Sequence, residues 1–222
     1  MATSTATEVR LRPAVGAAAA ELICLIACVE VIMWVVPLVP DSRAAYAGLV
    51  LVIIALLITC HLRDHPGARS VGFRIDNLFT TLAHLSAPLA AFAACVIAIG
   101  FTAGSVRFGA RFFTMLASVP LWALLQQYML LVFVGRRVEQ IIEDRGKSRL
   151  VIAALFALLH LPNPALTVAC ALGGYVWARE FDRSPNLLAN ALTHTIASAL
   201  LANSLPGWAL KNMVVGYNYF MR

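Results

Sequence analysis

Long apolar runs separated by short polar stretches make up nearly the whole chain. They fall at about 17–39, 45–61, 77–101, 112–134, 149–161, 164–178 and 186–205, with a weaker segment at 206–220. None alternates with period two, and each is longer than an ordinary strand, so helices are the expected elements. An apolar helix of about 20 residues crosses the hydrocarbon core of a bilayer, and its backbone groups are satisfied internally. The pattern therefore predicts an all-α, polytopic transmembrane helical bundle of seven or eight membrane segments. Two runs, 149–161 and 164–178, are short for an upright crossing, and the LHLPNP junction between them carries two prolines. Broken segments of this kind are tolerated where they pack among other helices or line a cavity.

The first sixteen residues, MATSTATEVRLRPAVG, are polar and are read as a flexible tail, leaving 17–222 as a single transmembrane domain. The apolar run from Ala17 is too long for a cleavable signal and no small-residue cleavage site follows it, so it is read as the first span.

Composition agrees with the pattern. Of 222 residues, 61% are hydrophobic and 13% charged, with a mean hydropathy of +0.82; a soluble domain carries about 25% charged residues. The net charge of +6 would point to nucleic acid in a soluble protein. Here it is distributed between spans, as the positive-inside rule expects. With the N-terminus cytoplasmic, the tail and the loops near 62–76, 135–150 and 179–184 place twelve Lys and Arg inside. Three (Arg43, Arg107, Arg111) then lie outside. Arginine outnumbers lysine fifteen to two, a bias resembling high-GC bacterial genomes, which points to a bacterial inner membrane. The partners expected are the lipid bilayer and a membrane-associated peptide or protein, with no nucleic acid. The five cysteines have no paired spacing and read as small core residues.

Polar side chains inside such sequence are costly and mark partners, cavities or substrate paths. Gln126 and Gln127 sit in LWALLQQYMLLVFVGRR, His160 in LFALLHL, and Asn190 and His194 in NLLANALTHTIASALL. Phe156 and His160 are four apart, as are Asn190 and His194, which puts each pair on one helical face. The aromatic ring can shield His160, and the amide can orient His194 or meet a substrate carbonyl. A pair of imidazoles can position water or hold a divalent metal, although two histidines fall short of the usual three protein ligands. The same spacings also fit histidines that only pack helices together, and glutamines that act as interhelical amide glue. Adjacent glutamines lie about 100° apart on a helix, so one can enter a cavity while its neighbour bonds another helix. Among acids, Glu21 and Glu30 lie within the first span, and Glu30, the deeper one, is the candidate substitute base.

The order QQ, FALLH and NALTH on three successive C-terminal segments resembles the CAAX-protease and bacteriocin-processing (CPBP, or Abi) family of intramembrane endopeptidases. The resemblance spans roughly residues 112–205, about two-fifths of the chain, and includes AlaLeuGlyGlyTyr at 171–175 and WAREFDRSPNLLANALTH. The family carries EExxxR, FxxxH and a histidine preceded four residues earlier by Asn or Asp. Phe156/His160 and Asn190/His194 match the last two. The resemblance implies a CAAX-protease-like bundle that hydrolyses a peptide bond in a membrane-associated protein or peptide. His160 and His194 would hold the water or oxyanion, Gln126 would occupy the position of the base, and Gln127, Phe156 and Ser198 would support them. The first motif departs from the family: both glutamates are glutamines, and Leu131 replaces the arginine. Losing a general base costs about 10²- to 10⁴-fold in rate. Ser198 stands where some relatives carry an asparagine. The alternative is therefore a catalytically inactive relative that binds a membrane peptide or partner as chaperone, immunity factor or regulator. A small transporter with a histidine relay is a third reading.

Overall fold

The computed structural model describes residues 4–221, with side chains from Val15 onward. Residues 1–3 of the expected tail lie outside the described residues. The rest of that tail, 4–16, carries helical backbone continuous with the first span, because α1 runs Ser4–Glu30. A π-helical turn, Val31–Val35, and a 3-10 turn ending at Leu38 complete that span. There follow α2 (Arg43–Asp64), the short α3 (Ala68–Val71), α4 (Leu78–Thr102), α5 (Ala110–Ser118) and α6 (Pro120–Gln127). A π-helical segment, Tyr128–Val134, joins α6 to α7 (Gly135–Ile141). The chain ends with α8 (Arg145–Leu158), α9 (Pro164–Arg183), α10 (Leu187–Ser204), α11 (Gly207–Leu210) and two 3-10 turns. Among the described residues every regular element is helical.

Three helical stretches are long and apolar enough to cross a membrane: Val15–Leu38, Arg43–Asp64 and Leu78–Thr102. A fourth is the pair Ala110–Ser118 and Pro120–Ile141, bent by 47° at the break before Pro120. This is a membrane protein, but the C-terminal helices do not read as independent spans. The 14 residues of α8 are too few to cross upright. The last turns of α9 carry Arg179, Glu180, Asp182 and Arg183, and α10 carries Asn190, His194 and Asn203. Polar groups on α10 are tolerated because other helices surround it. Asn190, Thr193, His194, Thr195 and Ser198 are all buried, and α10 packs against α4, α5, α6 and α9.

Local chemistry places these helices. Asp144, Asn163 and Asn186 are the N-caps of α8, α9 and α10, accepting from the backbone N–H groups of Lys147, Leu166 and Ala189 at 2.8, 3.2 and 2.8 Å. Each such cap is worth about 1 kcal/mol. The fully buried Asn163 also donates to the Leu210 and Val214 carbonyls, which pins the C-terminal segment. Asn186 donates to Asn77 Oδ1 and to the Arg74 carbonyl, fixing the start of α10 against α4. Helices α8 and α9 approach closely because Gly174 faces Ala153; a Cβ there would lie 3.1 Å from the Ala153 Cα.

At the other side of the bundle, α1, α2 and α7 are tied by charge. Glu21 binds Arg63 and Arg137, and the Arg137 guanidinium stacks 4.2 Å from the Phe133 ring centroid. This clamp holds the end of the helical stretch that carries Gln126 and Gln127.

Candidate active site

A cavity of about 740 Å³ opens between α4, the α5–α6 pair, α9 and α10. His160, His194, Gln126, Thr193 and Ser198 line it, together with a mostly apolar wall that includes Phe92, Trp122 and Trp177. The sequence leads to a polar cavity built from the segments carrying the glutamines and histidines. The structure adds walls from α4 and α9, and most of the lining is apolar.

His160 sits in the turn just after α8. Its Nδ1 lies 2.6 Å from the Phe156 carbonyl oxygen, one turn back. The Phe156 ring meets the His160 ring edge-on at 4.8 Å. His194, only 8% exposed, stacks on Trp177 with centroids 4.7 Å apart and meets Phe156 edge-on at 6.0 Å. Trp177 is held in turn by its Nε1, which donates to Thr193 Oγ1 at 3.1 Å. The two imidazoles thus share one aromatic box, and Phe156 touches both.

The glutamines divide their work. Gln127 is fully buried, and its Nε2 lies 3.1 Å from His194 Nδ1. Gln126 is half-buried and lines the cavity. The residue bonded to a histidine is therefore Gln127, not Gln126. Two buried oxygens, Gln127 Oε1 and Asn190 Oδ1, have no hydrogen-bond partner among the described residues. Asn190 does not bond His194; its Nδ2 donates to the Asn186 carbonyl at 2.8 Å, one turn back on its own helix. Ser198 is buried on the cavity wall one turn beyond His194. Glu30 stands half-buried on α1 and is not among the cavity residues, and Glu21 is engaged by Arg63 and Arg137. Among the described residues no group of three or more His, Cys, Asp or Glu is placed to hold a metal ion, so the histidine pair gains no third ligand of those types.

Residues 108–200 match a family model, that of the type II CAAX prenyl endopeptidase Rce1-like proteins. The match covers α5 through most of α10 and contains the glutamine pair and both histidine motifs. It is the same CAAX-protease family that the three motifs resemble. No curated protein and no solved structure matches the chain.

One buried acid beside the cavity was not legible in the sequence. Glu180 is 5% exposed and its Oε1 lies 2.7 Å from His84 Nδ1. It sits on α9 at i+7 from Gly173 and i+3 from Trp177, both of which line the cavity. Helical spacing therefore puts it on the cavity side, one turn beyond the wall. The WARE tetrad reads as the end of an apolar run, whereas α9 continues to Arg183. The signal available was the i+3, i+4, i+7 register continuing past Ala178.

Proposed function

We propose that the chain is a CAAX-protease-like intramembrane endopeptidase that hydrolyses a peptide bond in a membrane-associated protein or peptide. The observation that carries this reading is the convergence of His160 and His194 on one largely apolar cavity, within the Rce1-like stretch. An apolar chamber suits a substrate with a hydrophobic chain or a hydrophobic peptide segment, and imidazoles at its wall can bind water and a carbonyl oxygen. The protein is a multi-pass component of the bacterial inner membrane with its N-terminus in the cytoplasm. Its seven or eight segments include the short C-terminal helices, which cross or re-enter only as part of the bundle. The lipid bilayer and the peptide substrate are its partners.

Cleavage of quenched peptides, prenylated and unmodified, by the full-length protein in nanodiscs tests the reading. Turnover that disappears in His160→Ala and His194→Ala supports it, provided both variants melt as the wild type does. Unchanged turnover in both variants refutes it.

A second reading is favoured by one observation: among the described residues, no carboxylate lines the cavity. On that reading the chain is a catalytically inactive relative that holds a membrane peptide as chaperone, immunity factor or regulator. Peptide binding that survives both histidine substitutions, with no cleavage by the wild type, would favour it.

A further inference from the structure

A second cavity, of about 470 Å³, lies at the end of the bundle where α4 and α10 finish. One wall is the 104–111 stretch that leads into α5, and the other is the 205–212 stretch that follows α10. Hydrogen bonds hold both walls in place. The Arg107 backbone N–H donates to the Asn203 carbonyl at 2.8 Å, and Ser105 Oγ donates to the Ser204 carbonyl at 2.6 Å. Opposite them, Asn163 Nδ2 donates to the Leu210 carbonyl at 2.7 Å. The shape of this cavity is therefore set by the fold, as binding sites usually are.

Its charge is one-sided. Arg107, Arg111 and the amide-bearing Asn212 line it, and no carboxylate is among the described residues that do. Among the described residues neither arginine has an ion-pair partner. Lys211, the next cation along the wall, is engaged by Tyr219, with its Nζ 4.1 Å from the ring centroid and donating to the Tyr219 carbonyl. With the N-terminus cytoplasmic, Arg43, Arg107 and Arg111 are the three basic residues that the loop count leaves outside, and two of them line this one cavity. Arginine on that side runs against the positive-inside trend, and a pair in one cavity calls for a local counter-ion. The surrounding surface is apolar: Phe108, Phe113 and Trp208 are exposed, and Phe112 meets both phenylalanines edge-on at 5.2 and 5.6 Å. Exposed aromatic rings at the ends of membrane helices mark the level of the lipid headgroups.

We propose that this second cavity binds the headgroup phosphate of an anionic phospholipid, held by Arg107 and Arg111, with the acyl chains against Phe108, Phe113 and Trp208. Guanidinium forks match phosphate oxygens and hold them through charge-assisted hydrogen bonds. Basic pockets between membrane helices take anionic headgroups for the same reason. With no carboxylate among the described lining residues, a choline or ethanolamine headgroup finds no partner for its cation, so selection favours a phosphatidylglycerol-type lipid. The apolar surroundings distinguish a lipid from free phosphate, which would gain nothing from them. The proposal does not depend on the peptidase reading, yet the two cavities share a wall. Helix α5 carries Arg111 on this one and Met115 on the histidine-lined one. A lipid bound to Arg111 therefore braces the α5 wall of the histidine-lined chamber.

The test titrates the full-length protein in detergent with dioleoyl phosphatidylglycerol or dioleoyl phosphatidylcholine and counts bound lipid by native mass spectrometry. The expected result is a tightly retained phosphatidylglycerol whose affinity falls about tenfold in each of Arg107→Gln and Arg111→Gln. Arg43→Gln, which removes an exposed arginine elsewhere, should leave retention unchanged. Unchanged retention in both cavity variants, an equal loss in Arg43→Gln, or equal retention of the choline lipid overturns the proposal. A phosphatidylglycerol with a diazirine on its acyl chain locates the site in the wild type, so the test stands even where a variant does not fold. Adducts on peptides containing Phe108, Phe113 or Trp208 are expected, and adducts confined to other peptides overturn the proposal. Competition separates the two sources of phosphate. Inorganic phosphate that displaces the lipid at equal concentration overturns the lipid assignment, whereas lipid retained against a large excess of phosphate supports it.

Discussion

Arg137 offers a sharp test of how the glutamine-bearing helix is anchored. The residue is 2% exposed, with Nε 3.0 Å from Glu21 Oε2 and the guanidinium 4.2 Å from the Phe133 ring centroid. A second nitrogen lies 3.0 Å from Asp64 Oδ2, yet it makes no hydrogen bond, so that contact is an ion pair of poor direction. Glu21 has a second partner in Arg63. Arg137→Met therefore removes one charged hydrogen bond without orphaning a carboxylate. The expected loss is about 1.5–3 kcal/mol, below the roughly 3–5 kcal/mol of a buried pair left with one uncompensated charge. Glu21→Gln is the harsher change, because the neutral amide leaves the buried guanidinium with the misdirected Asp64 contact as its one carboxylate partner. The double variant should lose less than the sum of the two, with a coupling of about 1–3 kcal/mol. At roughly 2–4 °C per kcal/mol for a chain of this size, Arg137→Met should lower Tm by about 3–12 °C. Thermal melts of the four proteins in one detergent supply the cycle. Additive shifts, or an Arg137→Met shift within about 1 °C, would refute the reasoning.

The remaining predictions address the cavity and its supports. Ala197→Trp, placed on the cavity wall between His194 and Ser198, should abolish peptide cleavage and binding while changing Tm little; retained binding would show that substrate does not occupy this chamber. His84→Ala should cost about 1–3 kcal/mol in thermal melts, because it strips the buried Glu180 carboxylate of its 2.7 Å partner and leaves only Arg183 at 3.9 Å; Glu180→Gln in the same background should recover part of the loss. Trp177→Phe should keep an aromatic face on His194 but lose the bond to Thr193, giving a loss of about 1 kcal/mol. Gly216→Ala should loosen the C-terminal segment, since Gly216 has φ +62° and a Cβ would lie 2.4 Å from the Met33 carbonyl oxygen; faster tryptic cleavage after Lys211 is the readout.

Side-chain type and helical spacing pointed to residues that the structure brings to one cavity, but the partner of each side chain depended on neighbours that spacing does not specify. The 126/127 pair shows this. Two adjacent glutamines must point about 100° apart, and which one meets a histidine depends on the side of the helix that faces α10. Asn190 shows the opposite failure. Its place four residues before His194 suggests that it orients the ring, yet one turn back the Asn186 carbonyl offers its Nδ2 a local acceptor, and the amide takes it. Such side-chain-to-backbone bonds within a helix compete with any longer-range role. Glu30 is the deeper acid of the first span, but depth along a helix does not settle which face meets the cavity.

Helices long and apolar enough to cross a membrane by themselves number three, or four with the bent pair, fewer than the apolar runs, for a related reason. The first three long apolar runs reappear as helices that turn much apolar surface outward, including Leu51, Ile58, Phe79 and Phe101. The C-terminal runs also become helices, but α8 has only 14 residues, and α9 and α10 carry several polar side chains that their neighbours cover. An apolar run reports only that water is excluded, and protein can exclude it as well as lipid. Helix α10 illustrates the difference: its buried Asn190, Thr193, His194 and Ser198 are affordable because α4, α5, α6 and α9 surround it. Polarity that weakens it as a lone membrane span is the same polarity that equips it to carry chemistry. In a bundle of this kind the least span-like helix is the first place to look for the site.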